Sequence, residues 1–341
     1  MSTPVIEGYK NDRLVFGFFI IFRIMLGAAI YHALQSLALI GVKNNKDRRS
    51  IVQNGLWPIK VFTLIGCCTV CFYIPPEYFR SLFYVALVGA SLSILIQSFL
   101  LIDVAYEYAE FLVSRYEETS SDGYKYLLIG STVVFNLVIL VGSIFLFIRF
   151  EDSTDRTFVI LNALSSFLMS ILSALESVQE FNPRAGIFQS SLLGCYNFYL
   201  ICSALLSKPE NKSPYSLPWI NTLATMGYFI AMFFVAFSAF RAGQASHKLL
   251  ITKPQEGDDD DIEEEEFSRP FFHLMFLLAA LQLAIIMNRW RIPFLNDADK
   301  LFEIRESSIA YIVKIGTGWL ITLLYIWSLF APYFFPNRDF S

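Results

Sequence analysis

The chain has 341 residues, of which 55% are hydrophobic and only 16% charged, with 34 Phe and a net charge of −4. A soluble domain carries about 25% charged residues, and this composition, gathered into long apolar runs, excludes one. No basic patch points to nucleic acid.

Nine segments are apolar over the roughly 20 residues needed to cross about 30 Å of hydrocarbon. They are Leu14–Val42, Trp57–Ile74, Leu82–Asp103, Tyr126–Phe150, Phe158–Val178, Gly186–Leu206, Trp219–Phe240, Phe271–Met287 and Ile309–Phe334. An open chain in lipid satisfies its backbone only as helix. The sequence therefore predicts an all-α polytopic membrane protein with about nine transmembrane helices. The polar start, Met1 to Arg13, and the length of the first run argue against a cleaved signal peptide.

Lys43, Lys46, Arg48 and Arg49 crowd the first loop. The positive-inside rule places that loop in the cytosol, the N-terminus outside or in a lumen, and the C-terminus in the cytosol after nine crossings. Pro75-Pro76 ends the second helix.

The third segment continues without Gly or Pro to Gly123. A helix from Leu82 to Glu117 would be about 54 Å long at 1.5 Å per residue. It would then tilt or project from the bilayer. Asp103, Glu107, Glu110 and Glu117 form one stripe on it. That stripe reads either as a solvated face or as a polar face lining a groove.

Charges within a span are costly and mark candidate functional groups. Arg23, inside the first helix, is expected to snorkel outward or to meet a carboxylate on another helix. Lys314, near the start of the last helix, is expected to snorkel. His273 reads as a capping or interfacial residue; it is one of three His, each isolated in the sequence.

The stretch from Glu176 to Ser191 is the most polar short connection. Asn182-Pro183 marks a turn, Glu180 and Arg184 are placed to pair, and Gln179, Gln189, Ser190 and Ser191 flank the turn. It reads as a structured hairpin or as a functional loop.

Asn211-Lys212-Ser213 is a glycosylation sequon, made doubtful by Pro214. Residues 243–269 are expected to form an acidic, disordered cytosolic loop. The five cysteines all lie in apolar runs and read as core residues. No protease, nucleotide-binding, hydrolase or metal motif occurs, so neither an enzyme nor a cofactor is expected.

Several segments together resemble the serine incorporator family. Gly41-Val42-Lys43 with Lys46-Asp47 and Gln53-Asn54-Gly55-Leu56-Trp57 are similar to its first cytosolic stretch. Leu101-Ile102-Asp103 with Ala105 resembles its Leu-Ile-Asp-Phe-Ala-His motif, with Tyr106 at the usual His position. Its most specific signature is similar to Gln179-Glu180, Asn182-Pro183-Arg184, Gly186 and Gln189-Ser190-Ser191, with Tyr196, Tyr199-Leu200 and Ser203-Ala204. Phe272-His273 and the tail from Val313-Lys314 to Asn337-Arg338-Asp339-Phe340 extend the resemblance over nearly the whole chain. Against the family pattern, its first helix and a Cys-rich outer loop are missing from this sequence.

The resemblance implies two helical bundles joined by one long tilted helix, within a single domain of residues 1–341. It also implies lipid handling: scrambling or transport of phospholipid, notably phosphatidylserine, between leaflets. The alternatives are a non-enzymatic facilitator of serine incorporation into phosphatidylserine and sphingolipids, a small-solute transporter, and a purely structural protein. Membrane phospholipids are the expected partners, with serine-lipid biosynthetic enzymes as further candidates. An endomembrane or the plasma membrane is the expected location. The polar groups expected to line or brace a headgroup path are Arg23, Asp103, Glu107, Glu110, Gln179, Glu180, Arg184, Gln189, Ser190, Ser191 and Lys314.

Overall fold

The computed structural model describes residues 13–42, 47–208, 226, 229, 232–241, 269–296, 301–305 and 307–335. The sequon at Asn211, the acidic loop up to Ser268 and most of Trp219–Phe240 lie outside the described residues.

The helices, in chain order, are α1 (Arg13–Ala38), α2 (Ile51–Asn54), α3 (Trp57–Cys71), α4 (Phe79–Thr119), α5 (Asp122–Arg149), α6 (Ser153–Ala174), α7 (Glu176–Phe181), α8 (Ile187–Leu205), α9 (Met232–Arg241), α10 (Arg269–Met287) and α11 (Ile309–Phe334). Six of them, α1, α4, α5, α6, α10 and α11, are long and apolar enough to cross a membrane. The chain is thus an all-α polytopic membrane protein, with fewer such helices among the described residues than the nine runs suggest. Three of the runs account for this: Trp219–Phe240 lies mostly outside the described residues, and the other two fall short as helices. α3 spans 15 residues, short for a crossing, and α8 has 19 but is diluted by polar side chains.

The run Phe158–Val178 does not form one helix. The backbone turns extended at Leu175 (φ −66°, ψ 127°), and α7 follows separately. A short antiparallel hairpin, β1 (Ile292–Asn296) with β2 (Leu301–Arg305), occupies the connection before α11, where no strand is expected from the residue pattern.

The third run does form one uninterrupted helix: α4 has 41 residues, about 60 Å at 1.5 Å per residue. The chain divides into two compact units, residues 1–97 with 225–307 and residues 98–224 with 308–341. The first part of α4 therefore belongs to one unit and the remainder to the other.

In the first unit, α1 packs on α3 and α10. Gly27 sits against α3 so closely that a Cβ there would lie 2.5 Å from Cys68 Cα. Phe18, Phe19, Phe22 and Phe79 are all buried, with Phe19 and Phe79 edge-to-face at 5.0 Å. In the second unit, α6, α8 and α11 bury Met169, Leu193, Leu200, Ile321, Tyr325 and Leu329 together with Ile102 and Ala105 of α4.

Candidate functional site

Three helices of the second unit, α6, α8 and α11, enclose a seam of polar side chains. α8 begins at Gly186, where a Cβ would come within 2.8 Å of Gln189 Oε1. Its absence lets the Gln189 side chain fold back, and Nε2 donates to Arg184 O at 2.8 Å. Ser190 and Ser191, fully buried, donate to Ile187 O at 2.9 and 2.6 Å. Asn136 of α5 donates to Ser191 Oγ at 2.6 Å.

The connection before α8 is stitched to its surroundings. Asn182 Nδ2 donates to Leu329 O of α11 at 3.1 Å, and Gln179 Nε2 to Ser173 O at 3.1 Å. Arg184 forms its ion pair with Glu110 of α4, not with Glu180 as the spacing suggests. Its guanidinium also lies over Tyr106, 5.7 Å from the ring centre. The physical reason is geometric: α7 and its turn aim Arg184 at α4, whereas Glu180 is exposed on the short helix itself.

Along the helices the seam continues. Ser173 and Tyr325 share a hydrogen bond of 2.8 Å. Asn197 Nδ2 donates to Thr322 Oγ1 at 3.0 Å, and Asn162 Nδ2 to Asn197 O at 3.2 Å. Lys314 does not snorkel. Its Nζ donates to Ser203 O, Ser203 Oγ and Ser207 Oγ at 3.1, 2.8 and 2.6 Å. Three oxygens match the three N–H of an ammonium, which is why the side chain turns toward α8.

At the far end, Lys208 meets Asp155 at 2.6 Å and Asp152 at 3.0 Å, and Tyr311 OH donates to Asp155 at 2.8 Å. Asp155 is 2% exposed. Burial would lower the Lys208 ammonium, yet the hydrogen bonds and charge of Asp155 and Asp152 hold it above its ordinary value. The Lys208 hydrogen bond, seconded by the Thr154 N–H that Asp152 accepts as N-cap of α6, holds Asp152 below its ordinary value.

Sequence reasoning missed Asp152, Asp155, Lys208 and Tyr311. Charges at span ends are ordinary, and nothing local links positions 53 residues apart. Asn162 and Asn197 carried a signal, since an amide inside an apolar run needs a partner.

The acidic stripe is not uniform. Asp103 and Glu107 are half-buried, whereas Glu110 and Glu117 are exposed. Arg23 belongs to the first unit and is not brought together with the other candidates. It is 2% exposed, so it neither snorkels nor meets a carboxylate among the described residues. Its Nη2 donates to Ile74 O at 3.1 Å, beyond the end of α3, and its guanidinium lies 4.8 Å from the centre of the Phe79 ring. Phe19 and Phe72 complete an aromatic cage. His273 is not isolated either. His32 Nδ1 and His273 Nδ1 lie 3.0 Å apart, and His273 Nε2 is 2.8 Å from Gln53 Oε1. Among the described residues no three His, Cys, Asp or Glu side chains are grouped to hold a metal.

A profile of the family described as "Serine incorporator (Serinc)" matches residues 3–254 and 247–338. A "Probable serine incorporator" of Nematostella vectensis is 30% identical over 97% of this chain and 82% of its own. "Serine incorporator 3" of Mus musculus is 30% identical with the same coverage. A "Probable serine incorporator" of Dictyostelium discoideum is 28% identical over 96% of this chain and 85% of its own.

Proposed function

The chain belongs to the serine incorporator family, and from that premise we propose that it moves phospholipid between leaflets, with headgroups following the polar seam of the second unit. One observation carries this reading: the seam accompanies the full length of α8, from Gln189 to Lys208. The 19 residues of α8 span about 28 Å at 1.5 Å per residue, comparable to the hydrocarbon thickness of about 30 Å. A headgroup crossing that distance needs polar partners at every depth, because each unsatisfied polar group in hydrocarbon costs several kcal/mol. Polar side chains in a span are also costly to keep and so mark function.

The seam differs from the path expected from the sequence. Its members include Gln189, Ser190, Ser191, Ser173, Tyr325, Asn162, Asn197, Thr322, Lys314 and the Asp155–Lys208 pair. Arg184 and Glu110 brace its entrance, and Asp103 and Glu107 share the stripe of α4 that carries Glu110. Arg23 has no part in it. The lipid partners are membrane phospholipids, phosphatidylserine among them.

Purified protein in liposomes carrying acyl-labelled phosphatidylserine tests the reading. Dithionite bleaching of the inner-leaflet label is expected to run well ahead of protein-free liposomes; equal rates would overturn it. The names of the relatives favour a second reading, a facilitator of serine entry into lipids. Labelled serine entering phosphatidylserine and sphingolipid unchanged in cells lacking the protein would reject that one.

A further inference from the structure

Within the seam, Asn162 and Asn197 border a small cleft also lined by Phe158, Lys314, Gly318 and Trp319. Both amide orientations are fixed chemically. Asn197 O is a carbonyl and only accepts, so Asn162 presents its Nδ2 there. Thr322 Oγ1 gives its proton to Gly318 O at 3.0 Å, so it accepts from Asn197 Nδ2. Both Oδ1 atoms are consequently left buried, and neither accepts a hydrogen bond from a described residue. Asn197 is fully buried. Two such acceptors carry a real penalty unless a donor joins them, and the cleft admits a group the size of one water.

We propose that this cleft seats a hydroxyl of a polyol phosphate headgroup, such as glycerol or inositol, and thereby favours anionic polyol lipids over choline lipids. Three features select that chemistry. A hydroxyl donates and is water-sized, whereas a trimethylammonium donates nothing and is too large. Lys314 in the same lining disfavours a second cation and favours an ester whose phosphate is anionic. Phe158 and the half-exposed Trp319 offer apolar faces to the C–H side of the polyol. Gly318 keeps the space open, since a Cβ there would lie 3.7 Å from Asn197 Oδ1.

The inference rests on the lipid-moving reading, and the test separates the two. Acyl-labelled phosphatidylglycerol, phosphatidylethanolamine and phosphatidylcholine are compared in phosphatidylcholine liposomes by dithionite bleaching. Phosphatidylglycerol is expected to bleach about two- to tenfold faster than phosphatidylcholine, the worth of one hydrogen bond. Asn162→Leu is expected to bring that ratio to one. Equal rates for all three lipids with the unaltered protein would show that only water fills the cleft, and a preference for phosphatidylethanolamine would assign an ammonium instead; either result overturns the proposal. Absence of bleaching for every lipid rejects the transport reading alone. Binding then decides: glycerol 3-phosphate, but not phosphocholine, should raise the thermal stability of the detergent-purified protein and fail to do so for Asn162→Leu. That outcome assigns a soluble polyol phosphate as the source, and no shift with either compound overturns the site.

Discussion

Replacing Lys208 by Met should be the most damaging single change at the end of the seam. In the structure Lys208 holds Asp155 at 2.6 Å, and the Asp155 side chain is only 3% exposed. Tyr311 OH also donates to that carboxylate, at 2.8 Å. Removing the lysine strands a buried anion, which costs about 3–5 kcal/mol. For a unit of this size that corresponds to a fall in melting temperature of about 6–20 °C. Asp155→Asn should cost less, about 1–3 kcal/mol, because Lys208 keeps Asp152 as a partner. The double variant Lys208→Met/Asp155→Leu should recover most of the loss, since an apolar pair of similar volume replaces a buried ion pair at little cost. Thermal unfolding of detergent-purified variants, followed by size-exclusion chromatography, reads the order. A loss below about 1 kcal/mol for Lys208→Met, the range of exposed pairs, would refute the argument.

The same cluster fixes a pH profile. Asp152 lies below its ordinary 3.8, so its contribution is present above that value and is lost as pH falls through the lowered one. Lys208 lies above its ordinary 10.5, so its contribution is complete below 10.5 and fades as pH rises through the raised value. Melting temperatures of the unaltered protein and Lys208→Met should therefore differ by a constant amount from about pH 5 to 9 and converge only outside it. Gly27→Ala should cost about 1–3 kcal/mol by overpacking, because its Cβ would strike backbone atoms of Cys68; unfolding curves check this. Gln97 and Gln282 exchange amide hydrogen bonds at 2.6 and 3.3 Å. Either Gln→Leu change should cost about 0.6–2 kcal/mol and the double change less than the sum, as a double-mutant cycle reads. Reversing the Glu110–Arg184 charges should restore whatever lipid-transport rate Arg184→Glu alone removes, measured by dithionite bleaching.

The fold was largely legible because lipid imposes a simple rule on the chain. Apolar length alone located α1, α5 and α11, and the lack of Gly or Pro predicted that α4 would run on past Asp103. The break at Leu175 carried no such mark, since no proline or glycine stands there and the extended backbone is set by packing. The hairpin was hidden in a polar connection whose pairing is non-local. At the candidate site, the loop around Asn182 and the serines entering α8 were visible as a polar cluster. Their partners were not. Arg184 chose Glu110 over Glu180, and His32 found His273, across 74 and 241 positions. Such choices depend on helix packing, which sequence spacing does not encode. Arg23 shows the same limit: three phenylalanines and one carbonyl met a need that sequence logic assigned to water or a carboxylate.

α5 carries a different consequence. Of its 28 residues only Ile139, Ser143 and Leu146 are buried, and at Gly142 the ring of Phe198 fills the place of a side chain. Asn136 and Phe135 add contacts to α8, but the exposed residues on the opposite face have no shape to match, only oil to dissolve in. Its outer residues are thus interchangeable among apolar types, and the helix is anchored along one narrow face. A block exchange of Val133, Val134, Val138, Val141 and Ile148 for leucine should leave the protein folded, while the single change of Gly142 to valine should not.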